Sequence, residues 1–264
     1  MRWEELTSAD FAKAVRKVKG VCLLAVGCLE KHGNHLPLGT DFLNGFKLCD
    51  MAAEKEPAIV FPYYYFGQIH EARPFAGTIA IDPYLTLQIL ENVCGEISRN
   101  GCHKIILRNS HGGNKFMLGY FAQMMLARRR DYSVYVPPRI TPDRQKQWDA
   151  ILETPVHGHA CECETSWTLA NYEHLVKMDR IKGKADPLGR QRRIPQGGVV
   201  SNEWYTDFPE HYAGDARAAS KAKGLKLQKL LVDSLAEYIK AVKDDTAVAT
   251  LTKEFYDRVD RLGR

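Results

Sequence analysis

The chain has no long apolar run. None of its hydrophobic stretches approaches the roughly 20 residues that a bilayer-spanning helix requires, so no membrane partner is expected. The first residues, Met1 to Glu5, lack the basic, apolar and small-residue succession of a secretory signal. A disulfide framework is missing too: the seven cysteines are odd in number and irregularly spaced. Cys22, Cys28, Cys49, Cys94 and Cys102 lie in or beside apolar runs and read as reduced core residues. That fits a reducing compartment, and a cytoplasmic location is the expectation. Cys161 and Cys163 form C-x-C, not the C-x-x-C of zinc ribbons and redox sites, so a zinc–thiolate role there is a minor reading. Basic clusters interleaved with aromatics are also lacking. The net charge is +5, and the clusters Arg128 to Arg130 and Lys182 to Arg193 contain no aromatic residue, so nucleic acid is not an expected partner. There is no internal repeat, no low-complexity tract and no G-x-x-x-x-G-K phosphate loop.

What remains is an ordinary globular composition, 45% hydrophobic and 26% charged over 264 residues, enough to bury a sizeable core. Thr7 or Ser8 can cap a first helix carrying Phe11, Val15 and Val18. The continuous apolar run from Val21 to Val26 suits a strand buried on both faces. Further strands are expected at 58–61, 78–81, 104–108 and 132–136, with helices from Asp41, from Pro83 to about Asn100, from about Lys115 to Arg130, from Glu164 to about Leu175, and from Ala216 to Lys243. Residues 139–156 read as a less regular connection. Alternation of strand and helix implies an α/β fold with a mostly parallel sheet. The pattern is taken as one domain over 1–264, with a long excursion at about 180–215 and a helical C-terminus. Sites in such sheets collect at the carboxyl ends of strands, where the loops after Val26 and Arg108 lie.

The first of these loops carries Glu30, His32, His35 and Asp41 between glycines. Glu30 and His32 are two apart, so an extended backbone points both the same way. Mixed imidazole and carboxylate donors suit zinc, manganese or iron(II). The bland alternative is a polar loop with Asp41 as a helix cap. The second loop, Asn109-Ser-His-Gly-Gly-Asn114, places His111 in a turn where Gly112 and Gly113 remove steric bulk; a bare turn, or a phosphate cradle of backbone N–H groups, which the missing G-x-x-x-x-G-K pattern disfavours, is the alternative. A third segment holds His157, His159, Glu162 and Glu164 just before a helix, a combination suited to acid–base work or to helix-start chemistry.

These segments resemble the creatininase (creatinine amidohydrolase) family. The pattern E-x-H-G-x-H-L-P-L-G-T-D is matched from Glu30 to Asp41, H-G-G-N from His111 to Asn114, and H-A-x-x-x-E-T-S from His159 to Ser166. Phe75-Ala-Gly-Thr78, Gly214-Asp-Ala-Arg217 and Lys223-Gly224 add to the match. The resemblance implies a three-layer α/β/α sandwich, a homo-oligomer with a hexamer favoured, and two divalent transition metals per chain. It implies that Glu30 and His111 bind one metal, that His32 binds the other, and that Asp41 bridges them. A metal-activated water would attack a small amide, His159 would shuttle a proton to the leaving nitrogen, and Glu164 would orient the site or add a ligand.

One departure bears on the substrate. Creatininases proper carry a metal-binding Glu two residues after the histidine matched by His111, and here that position is Gly113. The Gly-Gly form resembles the formamide-hydrolase and peptide-processing branches. Glu162 could supply the missing carboxylate or could face solvent. The tryptophan expected shortly before the shuttle histidine is replaced by Pro155. Creatinine is therefore not the expected substrate. A formamide or lactam is, with a small peptide or an inactive binding role as the alternatives. His70, Gly112 and Gly113 are the candidate substrate contacts. His35 is expected to hydrogen-bond within its loop, and the Tyr63 to Tyr65 run and Trp204 to serve packing or line the pocket.

Overall fold

The computed structural model describes residues 1–190 and 200–262. Its centre is a parallel four-stranded sheet in the order β2-β1-β3-β4, formed by β1 (Val21–Val26), β2 (Ile59–Val60), β3 (Lys104–Asn109) and β4 (Ser133–Tyr135). β1 and β3 run in register from Val21 opposite Lys104 to Val26 opposite Asn109. Every residue of β1 is buried. Successive side chains leave a strand on opposite faces. Val21, Leu23 and Ala25 accordingly join Ile106 on one face, and Cys22, Leu24 and Val26 join Ile105 and Leu107 on the other. A strand covered on both sides has no solvent-facing position, which is why the run is apolar throughout.

The helices are α1 (Ser8–Lys17), α2 (Thr40–Lys55), α3 (Pro83–Arg99), α4 (Asn114–Met124), α5 (Pro142–Asp149), α6 (Glu162–Tyr172), α7 (Glu203–Asp207), α8 (Lys221–Asp244) and α9 (Ala247–Val259). α1, α3 and α4 cover one face with Ala14, Val18, Leu90, Ile97, Leu118 and Phe121. α2, α5, α6 and α8 cover the other with Phe46, Trp148, Cys163, Leu231 and Ile239. The result is the expected three-layer α/β/α sandwich. A small second sheet pairs β5 (His157–His159) antiparallel with β6 (Ala213–Gly214). It pins the segment before α6 to the segment before α8.

Helix starts follow local chemistry. The Thr7 side chain accepts from Asp10 N, the Asp82 side chain from Tyr84 N and Leu85 N with Pro83 in the first turn, and the Ser220 side chain from Lys223 N. Four expectations need correction. Residues 78–81 form no strand; Ile79 is half exposed, and its N–H donates to the Leu29 carbonyl at 3.1 Å. The connection 139–156 contains α5, which buries only Trp148 and so carries no apolar period. The α4 helix stops at Met124 and passes into a 3-10 turn, Met125–Ala127. The last long helix starts at Lys221, after a separate 3-10 turn, Ala216–Ala218. Of the excursion at 180–215, residues 191–199, with part of the basic stretch ending at Arg193, lie outside the described residues. The described parts fold back, with Ala185 and Gly214 exchanging two backbone hydrogen bonds. All seven cysteines are free and buried. No helix among the described residues is long and apolar enough to cross a membrane.

Candidate metal centre

The centre lies at the carboxyl ends of β1 and β3, where four sequence-distant segments meet. The loop after β1 is closed by the Glu30 N–H donating to the Leu38 carbonyl at 3.1 Å, which folds Glu30 and His32 back towards the start of α2. Asp41 stands in the first turn of that helix. The turn after β3 is set by the His111 N–H donating to Asn109 Oδ1 at 3.1 Å. Glu30 and His32 are wholly buried, and Asp41 and His111 nearly so.

These side chains converge. His111 Nδ1 lies 2.7 Å from Glu30 Oε1 and 3.0 Å from Asp41 Oδ2. His32 Nε2 lies 3.1 Å from Asp41 Oδ1, while its Nδ1 lies 3.3 Å from the Glu30 carbonyl. Both partners only accept, which suits an imidazole protonated on both nitrogens; a cation taking Nε2 would leave the remaining proton on Nδ1, towards the Glu30 carbonyl. The Cys28 thiol donates to Asp41 Oδ2 at 3.1 Å. Three sets of donor atoms here lie within 4.8 Å of one another: Cys28, Glu30, Asp41 and His111; Glu30, His32 and His159; and His32, Asp41 and Glu164. Asp41 belongs to the first and third, and Glu30 to the first and second. Two buried carboxylates among imidazoles, with no Lys or Arg partner among the described residues, form a donor set that fits divalent cations.

The electrostatics agree. Burial disfavours the charge on Glu30, yet the neighbouring His111, His159 and His32 hold its carboxyl well below the usual range. Burial likewise opposes charge on His32, but Asp41 and Glu30 outweigh it and leave the imidazole at about 10. His111 is pushed up against its burial, chiefly by Glu30. In the absence of metal, protons take the place of cations between these acids.

The third segment supplies His159 and Glu164. His159 is buried and drawn down to about 3, by burial first, with Glu30 opposing and His32 and His211 adding to the fall. It is neutral at ordinary pH. Its Nε2 donates to the Lys31 carbonyl at 2.7 Å, leaving Nδ1 bare and 3.9 Å from Glu164 Oε2. Glu164 is pushed up to about 8 by burial and by Cys161, although the Ala160 N–H donates to it at 2.5 Å. The pair is thus a neutral base beside a protonated acid.

Glu162 is not brought to the centre. Its carboxylate accepts from the backbone N–H groups of Glu153 and Thr154 and from the Thr154 hydroxyl, and it pairs with Lys223. As the first residue of α6 its side chain leaves the helix on the far side from Glu164. The room at Gly113 is taken by Glu71 instead. A Cβ built there would lie 2.6 Å from Glu71 Oε1 and 2.5 Å from His111 Nε2. Glu71 Oε1 is 3.8 Å from His111 Nε2, a buried nitrogen without a hydrogen-bond partner among the described residues. Gly112 is open and lines a cavity of about 510 Å³ with Asp41, His111, Glu164 and Trp167. His70 is not among the residues lining that cavity; its N–H donates to Gln68 Oε1 at 2.6 Å. His35 reaches beyond its own loop to the Thr165 hydroxyl at 2.9 Å. His157, Cys161 and Cys163 form a separate group of close donor atoms beside the cavity.

The residue that sequence reasoning passed over is His211. Trp204 Nε1 donates to its Nδ1 at 3.0 Å, so its Nε2 carries the proton and donates to Glu30 Oε2 at 2.5 Å. Trp204, expected to serve packing or line the pocket, is therefore the end of a chain that orients a candidate ligand. The only sequence signal was a histidine three residues before Gly214-Asp-Ala-Arg217.

Comparison with known proteins gives consistent results. Residues 4–239 match the family model described as creatininase, creatinine amidohydrolase. The chain is 25% identical to the creatinine amidohydrolase of Pseudomonas putida, over 89% of this chain and 95% of the relative. It is 26% identical to the mycofactocin precursor peptide peptidase of Mycolicibacterium smegmatis, over 84% and 85%. Among solved structures, a zinc–zinc form of a creatininase mutant superposes with a TM-score of 0.77 at 24% identity, covering 92% of this chain and 98% of that one. The last likeness concerns the fold.

Proposed function

Because the chain belongs to the creatininase (creatinine amidohydrolase) family, we propose that it is a metal-dependent hydrolase of a small non-peptide or cyclic C–N amide bond, of formamide or lactam type. The observation that carries this reading is the pair of buried carboxylates, Glu30 and Asp41, held among histidines and shared between two donor groups. Glu30 and His111 would hold one divalent cation and His32 and Glu164 the other, with Asp41 common to both. Zinc, manganese and iron all suit these donors. When bound, such a pair polarises an amide carbonyl and lowers the pKa of water. The protein's own groups do the rest. Glu164 would bind as the carboxylate, its proton displaced by the cation, and His159, neutral with Nδ1 bare, would relay a proton to the leaving nitrogen. His211 holds Glu30 in place.

A cavity of about 510 Å³ is of small-molecule size, which favours a small amide over the peptide substrate named for the mycobacterial relative. Gly113 and Pro155 argue against creatinine. We further read the whole chain, 1–264, as one hydrolase domain in a cytoplasmic homo-oligomer, a hexamer by preference. Exposed Tyr84, Phe116 and Tyr120 would be covered by a second copy, and the free buried thiols suit a reducing compartment. The test is elemental analysis and turnover after metal loading. About two transition metals per chain are expected, and Asp41→Ala should lose both metals and all turnover of formamides, lactams and short peptides. A fully folded protein that takes up no metal would overturn the reading.

A further inference from the structure

Arg108 is the penultimate residue of β3 and lies on the sheet face covered by α2 and α8. Only 5% of it is exposed. Among the described residues its guanidinium reaches one acceptor, the Arg139 carbonyl at 3.3 Å, and no carboxylate. A guanidinium has five N–H donors, so most of this one has no acceptor among the described residues and borders the cavity instead. A buried cation without a counter-ion is costly to keep. Arg108 nevertheless stays charged near neutral pH, although burial draws it down to about 10 and Arg139 adds to the fall.

Its surroundings say what it waits for. Arg108 lines the 510 Å³ cavity that also reaches Asp41, His111 and Glu164. Arg139 and Lys115 line the same cavity, and neither pairs with a carboxylate among the described residues; each lies over an aromatic ring, Trp148 and Phe116. The two acids on the wall, Asp41 and Glu164, belong to the candidate metal centre. A neighbouring cavity of about 230 Å³ also borders Arg108, but its one acid, Glu237, is paired with Arg144 at 2.5 Å. Three cations therefore face the space beside the reacting groups, and one of them is buried with no internal counter-charge.

We propose that this cavity binds an oxyanion, carboxylate or phosphate, on Arg108 with Arg139 and Lys115, and that the substrate is an anionic amide. Planar guanidinium matches both oxyanions with paired hydrogen bonds. The assignment of the anion to a substrate rests on the hydrolase reading above; the anion site itself does not.

The experiment measures binding of inorganic phosphate and of malonate to the metal-loaded protein by calorimetry, with sodium chloride as the ionic-strength control. At least one anion should bind, and Arg108→Gln should weaken it roughly ten- to a hundredfold, as expected for loss of hydrogen bonds to a charged group. Arg139→Gln, at an exposed position, should weaken it less and carries the test if Arg108→Gln does not fold. A preference for phosphate or for malonate identifies the source of the anion. Matched neutral, carboxylated and phosphorylated formamides should then differ in KM, with the difference lost in the variants. No binding of either anion to the wild-type protein, or binding undiminished in both variants because the anion rests on the metals, would overturn the proposal. Anion binding through Arg108 without turnover of any amide would leave this site standing and sink the hydrolase reading; turnover of neutral amides without anion binding would do the reverse.

Discussion

The loop after β1 and the segment leading into β6 both serve Glu30, and they serve it differently. The first brings Glu30, His32 and Asp41 within twelve residues, so their order along the chain already draws the site. The second brings His211 from 181 residues away, through a short helix and a strand of two residues. The nearby residues supply the donor atoms. The distant one supplies their orientation, because an imidazole that accepts from Trp204 has no choice but to donate to Glu30. Sequence reading finds donors far more easily than it finds what holds them.

Three experiments can break or sharpen that contrast. The largest effect is expected from His211→Ala, which leaves Glu30 Oε2 without its donor. Metal affinity or turnover should fall about ten- to a hundredfold, with the fold intact by circular dichroism. An unchanged dissociation constant and kcat/KM would reduce His211 to packing. The second effect is on pH. Against its burial, Asp41 and Glu30 hold the His32 imidazole up at about 10 in the folded metal-free chain, above the ordinary 6.5. A raised pKa means stability that is fully present below about 6.5 and is lost as pH rises through about 10. Denaturant midpoints of the metal-free protein should therefore fall across that window. Metal loading at neutral pH should release protons, read by calorimetry in buffers of different ionisation enthalpy. A flat pH profile and no release would show that the histidines are already neutral. The smallest effect on turnover is expected from Glu162→Gln. It should cost about 1–3 kcal/mol of stability, through the contacts with Thr154 and Lys223, and leave kcat unchanged once metal is loaded. A collapse of kcat would put Glu162 back among the catalytic groups.

Much of the architecture was legible. β1 and β3 read as buried strands because an unbroken apolar run is what two-sided cover requires, and the helices over them carry apolar stripes. Residues 78–81 misled because Thr-Ile-Ala-Ile has strand composition, yet the segment lies against the loop after β1, with the Ile79 N–H on the Leu29 carbonyl, and joins no sheet. The α5 helix hid because its surface is polar apart from Trp148. In the site, Glu30, His32, Asp41 and His111 were legible as residue types on strand-end loops. Glu71 and His211 were not, since each acts through a contact made only when separate segments meet over Gly113 and Glu30. Glu162 was left open between replacing the carboxylate missing at Gly113 and facing solvent, and only the helix that carries it away from Glu164, onto Thr154 and Lys223, decides against the first.

The pair Lys223-Gly224 makes the same point from the far side of the molecule. A Cβ at Gly224 would lie 1.9 Å from the Ser166 carbonyl, so α8 rests directly on the backbone of α6. Lys223, one residue earlier, reaches Glu162 on that same helix. One missing methyl group thus works as a depth stop. It sets how closely α6, which carries Glu164, can lie against α8. A larger residue there would act as a shim, detuning the centre without touching it.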